Sequence, residues 1–159
     1  MAKAGYSVTT SAAVALSAAT AKTALMVISP AQFGIDLIKF RVEFDGVTAS
    51  AVPVLCEIVR STNATNSTPG TGNTSESSNI TQNYGRSITT GFTAFSASTS
   101  EPTVLTVLER FLLTPNGGVL FYDSPLGTSF EADVSAGLGI RLTAPATVNA
   151  RASLWFERI

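Results

Sequence analysis

The sequence predicts an all-β fold: a two-sheet antiparallel β-sandwich, jelly-roll-like, with about eight strands and one long polar loop. Three observations carry this. Apolar and polar residues alternate along several runs, which puts one set on a single face of an extended strand. Turn-forming pairs such as Asp45-Gly46, Asn116-Gly117 and Ala144-Pro145 separate those runs. The length, 159 residues, is that of one domain able to bury a core, so residues 1–159 are read as a single unit.

Residues 1–20 are rich in Ala, Ser and Thr and read as an N-terminal arm. Lys3 is the lone charge there, and hydroxyl residues interrupt the Ala-rich stretch. The basic n-region and apolar core of a signal peptide are therefore missing, and synthesis in a cytoplasm is expected. Ala24–Ser29 is a short apolar strand stopped by Pro30. Ile38, Phe40, Val42 and Phe44 alternate with Lys39, Arg41 and Glu43, with the first set facing inward. Val52, Val54, Cys56 and Ile58 form the next inward set, and Pro53 points to an edge or the start of that strand.

Thr62–Gln82 is Asn, Ser, Thr, Gly and Pro with one charge, Glu76, and one sizeable apolar residue, Ile80. It has nothing to bury and is expected to be a long exposed loop. Ser87–Ala94 and Val119–Asp123 look extended. Thr103–Thr114 fits two patterns. Val104, Val107, Leu108, Phe111 and Leu112 would make a helical face after Pro102, but the β-branched and aromatic content and the neighbouring strands favour a strand. Leu138, Ile140 and Leu142, then Val148, Ala150, Ala152, Leu154 and Phe156, form two inward sets joined by Ala144-Pro145, read as a C-terminal hairpin.

Composition narrows function. There is no His, the commonest general base and metal ligand, and one Cys, so no intrachain disulfide. Ten basic against eleven acidic residues leave no basic excess for nucleic acid. No apolar run approaches the roughly 18 residues of a membrane helix. Charged residues are 13%, about half the usual share, which favours a protein packed among other subunits. No enzymatic activity and no cofactor are expected.

The remaining candidates are weak. The sequons at Asn63, Asn66, Asn73 and Asn79 follow from composition in a chain that is expected to carry no signal peptide. Asp123, Glu131 and Asp133 could form an acid–base pair or a calcium site, but their spacing matches no motif, and solvated surface charges are the simpler reading. Trp155 is more informative. It lies on the strand face opposite Leu154 and Phe156, with Arg151 and Glu157. An outward Trp is covered by its own chain, is buried against another subunit or stacks on a ligand. Arg151 and Glu157 would then form a rim, and Phe92 and Phe95 could line the same contact.

Four stretches resemble a known family: Pro102-Thr-Val-Leu-Thr-Val-Leu108, Leu113-Thr-Pro-Asn-Gly-Gly118, Ile140-Arg-Leu-Thr-Ala-Pro-Ala-Thr-Val-Asn149 and Leu154-Trp-Phe-Glu157, with a weaker match over Phe33–Phe44. They look like small jelly-roll structural proteins of tailed bacteriophages, some of which decorate the capsid. The resemblance implies a virion protein with no catalytic residues, a homo-oligomer, often a trimer, seated on the major capsid protein at the capsid surface. A receptor- or carbohydrate-binding jelly-roll module of a phage tail is the alternative.

Overall fold

The computed structural model describes residues 4–45, 52–61, 73–102, 105–116, 119–125 and 127–159. Among them the chain forms β1 (Gly5–Thr9), β2 (Val14–Leu16), β3 (Ala21–Ile28), β4 (Ile35–Asp45), β5 (Val54–Ser61), β6 (Thr74–Ser75), β7 (Thr81–Tyr84), β8 (Thr93–Ser96), β9 (Leu105–Leu113), β10 (Val119–Asp123), β11 (Phe130–Ala132), β12 (Gly137–Thr143) and β13 (Val148–Arg158). A three-residue 3-10 turn, Ser77–Asn79, joins β6 to β7. The all-β, two-sheet expectation is met: the strands form two antiparallel sheets. The seven-stranded sheet runs β10-β4-β13-β1-β7, with β11 also on β4 and β2 also on β13. The six-stranded sheet runs β6-β8-β3-β12-β5-β9.

Eight strands carry the architecture. Counting β1, β3, β4, β5, β9, β10, β12 and β13 as principal strands 1 to 8, the sheets run 1-8-3-6 and 2-7-4-5. That is the order of two interlocked Greek keys, the jelly roll. The other five strands are short. Of these, β6, β7 and β8 come from the connection between β5 and β9 and widen both sheets on one side.

The core lies between the sheets, filled by alternate residues of each strand. Tyr6, Phe40, Leu138, Ile140, Leu154 and Phe156 are fully buried, and Phe92 is wedged against the rings of Tyr6, Phe33 and Phe156. The inward sets expected on β12 and β13 are all buried, as are Val54, Cys56 and Ile58. Thr103–Thr114 contributes a strand, β9, and no helix; residues 103 and 104 lie outside the described residues.

Several expectations are corrected. β12 and β13 are not a hairpin: they belong to different sheets, and Ala144-Pro145 carries the chain across the sandwich. Alternation identifies the inward face of a strand but not the sheet it joins. The same holds for β9 and β10, which the Asn116 turn carries between sheets. Of the stretch 1–20 expected as an arm, residues 1–3 lie outside the described residues and residues 4–20 pack into the sandwich. β1 is an interior strand between β13 and β7, with Tyr6 and Val8 in the core.

Val52 precedes the strand and is 53% exposed; Pro53 does mark the strand start, immediately before Val54. Ile38 is only half-buried, while Ile35 and Leu37 are buried. Pairing of β4 with β13 steps from Lys39–Trp155 to Leu37–Phe156, so Ile38 is the extra residue of a β-bulge and the inward parity changes there. Ser87–Ala94 is extended only from Thr93 onward. Of the polar loop, residues 62–72 lie outside the described residues, and the remainder is not a free loop: it builds β6, the 3-10 turn and the start of β7.

Candidate interaction surface

The outer face of the seven-stranded sheet is built from the outward residues of five strands in register. One cross-strand row runs Thr81, Ser7, Trp155, Lys39, Asp123. The next runs Thr9, Ser153, Arg41, Phe121, and the one after it Arg151, Glu43, Val119. Directly opposed residues in a sheet have Cβ atoms about 5 Å apart, so each row is a line of touching side chains. The face grades from hydroxyls at the β7–β1 side to aromatic and apolar groups at β10.

Trp155 is half-buried at the centre of this face, as its strand parity predicts. Its own chain supplies part of the cover. The Phe121 ring is 6.0 Å away, and the Lys39 ammonium sits 4.8 Å from the Trp155 centroid and 4.4 Å from that of Phe121. A cation between two rings is worth about 0.5–1 kcal/mol at an exposed site, enough to favour this arrangement severalfold. Phe121 itself is 49% exposed and Val119 60% exposed. Among the described residues β10 pairs only with β4, so it forms one rim of the sheet.

On the other side of Trp155 lies a groove of about 560 Å³. Ser7 and Thr9 of β1 form its floor with Trp155 and Arg151. Ser78, Asn79 and Thr81 form its wall. Glu76 holds that wall in place. Its carboxylate is fully buried and accepts from the Ser11 backbone N–H (3.0 Å), the Ser11 hydroxyl (2.9 Å), the Ser96 hydroxyl (2.6 Å) and the Asn79 amide (2.5 Å). Desolvation alone would raise its pKa. The hydrogen bonds from Ser96, Ser11 and Asn79 outweigh it and hold the pKa below the ordinary glutamate value. The only charge of the polar stretch is thus a buried clamp, a role that sequence reading missed. The available signal was its isolation: a lone acid amid Ser, Thr and Asn has many short donors within reach.

The other sequence candidates are dispersed. Arg151 does share the groove with Trp155. Glu157 points outward but is only 7% exposed, because the Tyr84 side chain crosses β1 and donates its hydroxyl to the Glu157 carboxylate; it is no rim residue. Gly5 makes the crossing possible, since a Cβ there would lie 2.2 Å from the Tyr84 ring. Burial, then the Glu157 hydrogen bond and charge, push the Tyr84 phenol up to about 12. Phe92 is a core residue, 5% exposed, and is unavailable to another chain. Phe95 is half-buried on the outer face of the opposite sheet, away from Trp155.

Asp123, Glu131 and Asp133 do not converge; Glu131 instead lies beside Asp36 and shares a groove with Glu157. No three acidic, His or Cys side chains among the described residues are arranged to hold a metal ion. Asn63 and Asn66 lie outside the described residues, Asn73 is half-buried and Asn79 is tied to Glu76.

On the outer face of the six-stranded sheet Glu57 is paired on both sides, with the Arg110 Nε at 3.0 Å and the Arg141 Nε at 2.8 Å. Both arginines sit directly opposite it on neighbouring strands. No helix among the described residues is long and apolar enough to cross a membrane. Compared with known protein families, with curated proteins and with solved structures, the chain finds no match.

Proposed function

We propose that the chain is a structural protein of a tailed-bacteriophage virion, a capsid decoration protein that forms a homo-oligomer, by resemblance a trimer, on the shell of the major capsid protein. The observation that carries the reading is the apolar rim of the jelly roll. Phe121 stands exposed beside Trp155 with Val119 exposed further along the same strand, and Leu112 of β9, 71% exposed, flanks the same edge of the sandwich from the other sheet. Phe111 and Tyr122, whose rings are 5.6 Å apart, connect the two edge strands beneath them. Such a rim on a protein with few charges is the kind of surface that a neighbouring subunit covers. Low charge and the absence of His suit a structural part better than a catalyst.

The test is location. Particles purified from a lysate containing this chain are analysed for it by mass spectrometry, and its density is mapped by electron microscopy. The reading expects stoichiometric copies on the outer surface of the head. Copies confined to the tail, or a chain left in the lysate while particles lack it, would refute it.

A further inference from the structure

We propose that the groove between β1, β13 and the 3-10 turn is a saccharide-binding subsite, with Trp155 as its stacking platform. The chemistry of the lining selects the ligand class. One aromatic ring lies beside neutral hydroxyl and amide groups, and among the described residues the only charged lining residue is Arg151. Ser7 donates to Asn83 and Thr9 pairs with Ser153, but an apolar ligand would strip water from Ser78 and Thr81 without replacing their hydrogen bonds. A polyanion would find one cation where it needs several, and a cationic peptide would meet Arg151 and no acid. A sugar satisfies both halves of the lining, because its C–H face packs on a ring while its hydroxyls donate and accept at the rim.

The groove is preformed, which lowers the cost of ordering it around a ligand. Glu76 ties Ser11 on one side and Asn79 on the other to a single buried carboxylate. That bond uses one of the two Asn79 Nδ2–H donors and leaves the Oδ1 to accept from a ligand. The Ser78 and Thr81 side chains make no hydrogen bond among the described residues. The groove opens on the β1 side of Trp155, whereas Phe121 and Val119 lie on the β10 side. The inference therefore goes beyond the assembly reading and does not rest on it.

Trp155 is the only tryptophan in the chain, so its fluorescence reports groove occupancy directly. The full-length protein is titrated with the methyl glycosides of glucose, galactose, mannose and N-acetylglucosamine and with N-acetylneuraminic acid; glycerol serves as a polyol control. A saturable shift of the emission is expected with at least one sugar, at a Kd of about 1 mM or below, and none with glycerol. Asn79→Ala should weaken that binding about tenfold or more. Thr81→Val, nearly isosteric and on an exposed strand, should weaken it severalfold with the circular dichroism spectrum unchanged. No saturable response to any of the sugars, a response shared by glycerol, or unaltered binding in a folded Thr81→Val and Asn79→Ala pair would overturn the assignment.

Discussion

Glu76 is the one charged residue between Thr62 and Gln82, and it is wholly buried under four hydrogen bonds. Glu76→Ala leaves the Ser11 N–H, the Ser96 hydroxyl and the Asn79 amide without their acceptor. Such a loss costs about 2–4 kcal/mol, and the urea midpoint should fall accordingly with the m-value unchanged. Glu57 behaves alike: burial would raise its pKa, but the hydrogen bonds and charges of Arg110 and Arg141 outweigh burial and lower it.

For both carboxylates the folded-state pKa lies below the unfolded value, so the unfolded chain takes up protons first as pH falls. Their stabilisation is complete above about pH 4.5, the ordinary glutamate value, and is lost as pH drops through the folded-state values. Thermal melts should be flat in this respect from pH 7 to 5 and fall below it, with a shallower acid limb in Glu76→Gln. An equally steep limb in that variant would exclude Glu76 as a contributor. Cys56 titrates in the other direction: burial, reinforced by Glu57, pushes the thiol up to about 12. A thiol reagent should leave it unmodified at pH 8 in the folded chain and react fully after unfolding.

At the level of elements, the inward faces of β5, β12 and β13 were legible because period two survives unbroken along each inward set. The failures fall where it breaks. Ile38 is apolar and in phase with Phe40, yet it is the unpaired residue of a bulge, and Leu37 and Ile35 take the inward places instead. In β9 the pairing skips Leu108, which packs on the core three residues from Phe111. That spacing imitates a helix turn, and it is the reason Thr103–Thr114 fits a helical face. A bulge shifts side-chain parity without leaving a mark in composition.

The bulge makes a sharp prediction. Deleting Ile38 removes the extra residue and leaves Leu37 and Ile35 in phase with Phe40, so the fold should persist at a cost of about 1–2 kcal/mol for the lost packing. Deleting Val42, in the regular part of the strand, turns one half of β4 over and should abolish folding. Near-ultraviolet circular dichroism separates the outcomes. If both deletions unfold the chain, the extra residue is needed to shape the strand.

For the whole molecule, the jelly-roll order follows from strands that cross between sheets at almost every connection, a property no local pattern encodes. Adjacent alternating runs with a tight turn look like a hairpin whether they pair or face each other across the core. Exposure at the rim was equally hidden, because Val119 and Phe121 read as ordinary strand residues until β10 is found at the end of its sheet. β10 carries no Lys, Arg or Pro to discourage pairing, and its outward residues are Val119, Phe121 and Asp123.

We expect the isolated chain to scatter light above its monomer mass at micromolar concentration. Phe121→Lys should weaken self-association about tenfold or more, since a buried aromatic anchor at an interface is worth about 2 kcal/mol when truncated. Trp155→Ala should have a comparable effect by removing the ring that supports Phe121, and should leave the β fold intact because Leu154 and Phe156 hold the core side of the strand. Leu112→Lys asks how far the contact extends: equal weakening places both sheet edges in it, and no change restricts it to the seven-stranded side. A wild-type chain that stays monomeric at every concentration, with Phe121→Lys still binding particles as wild type does, would remove the rim from any role in assembly.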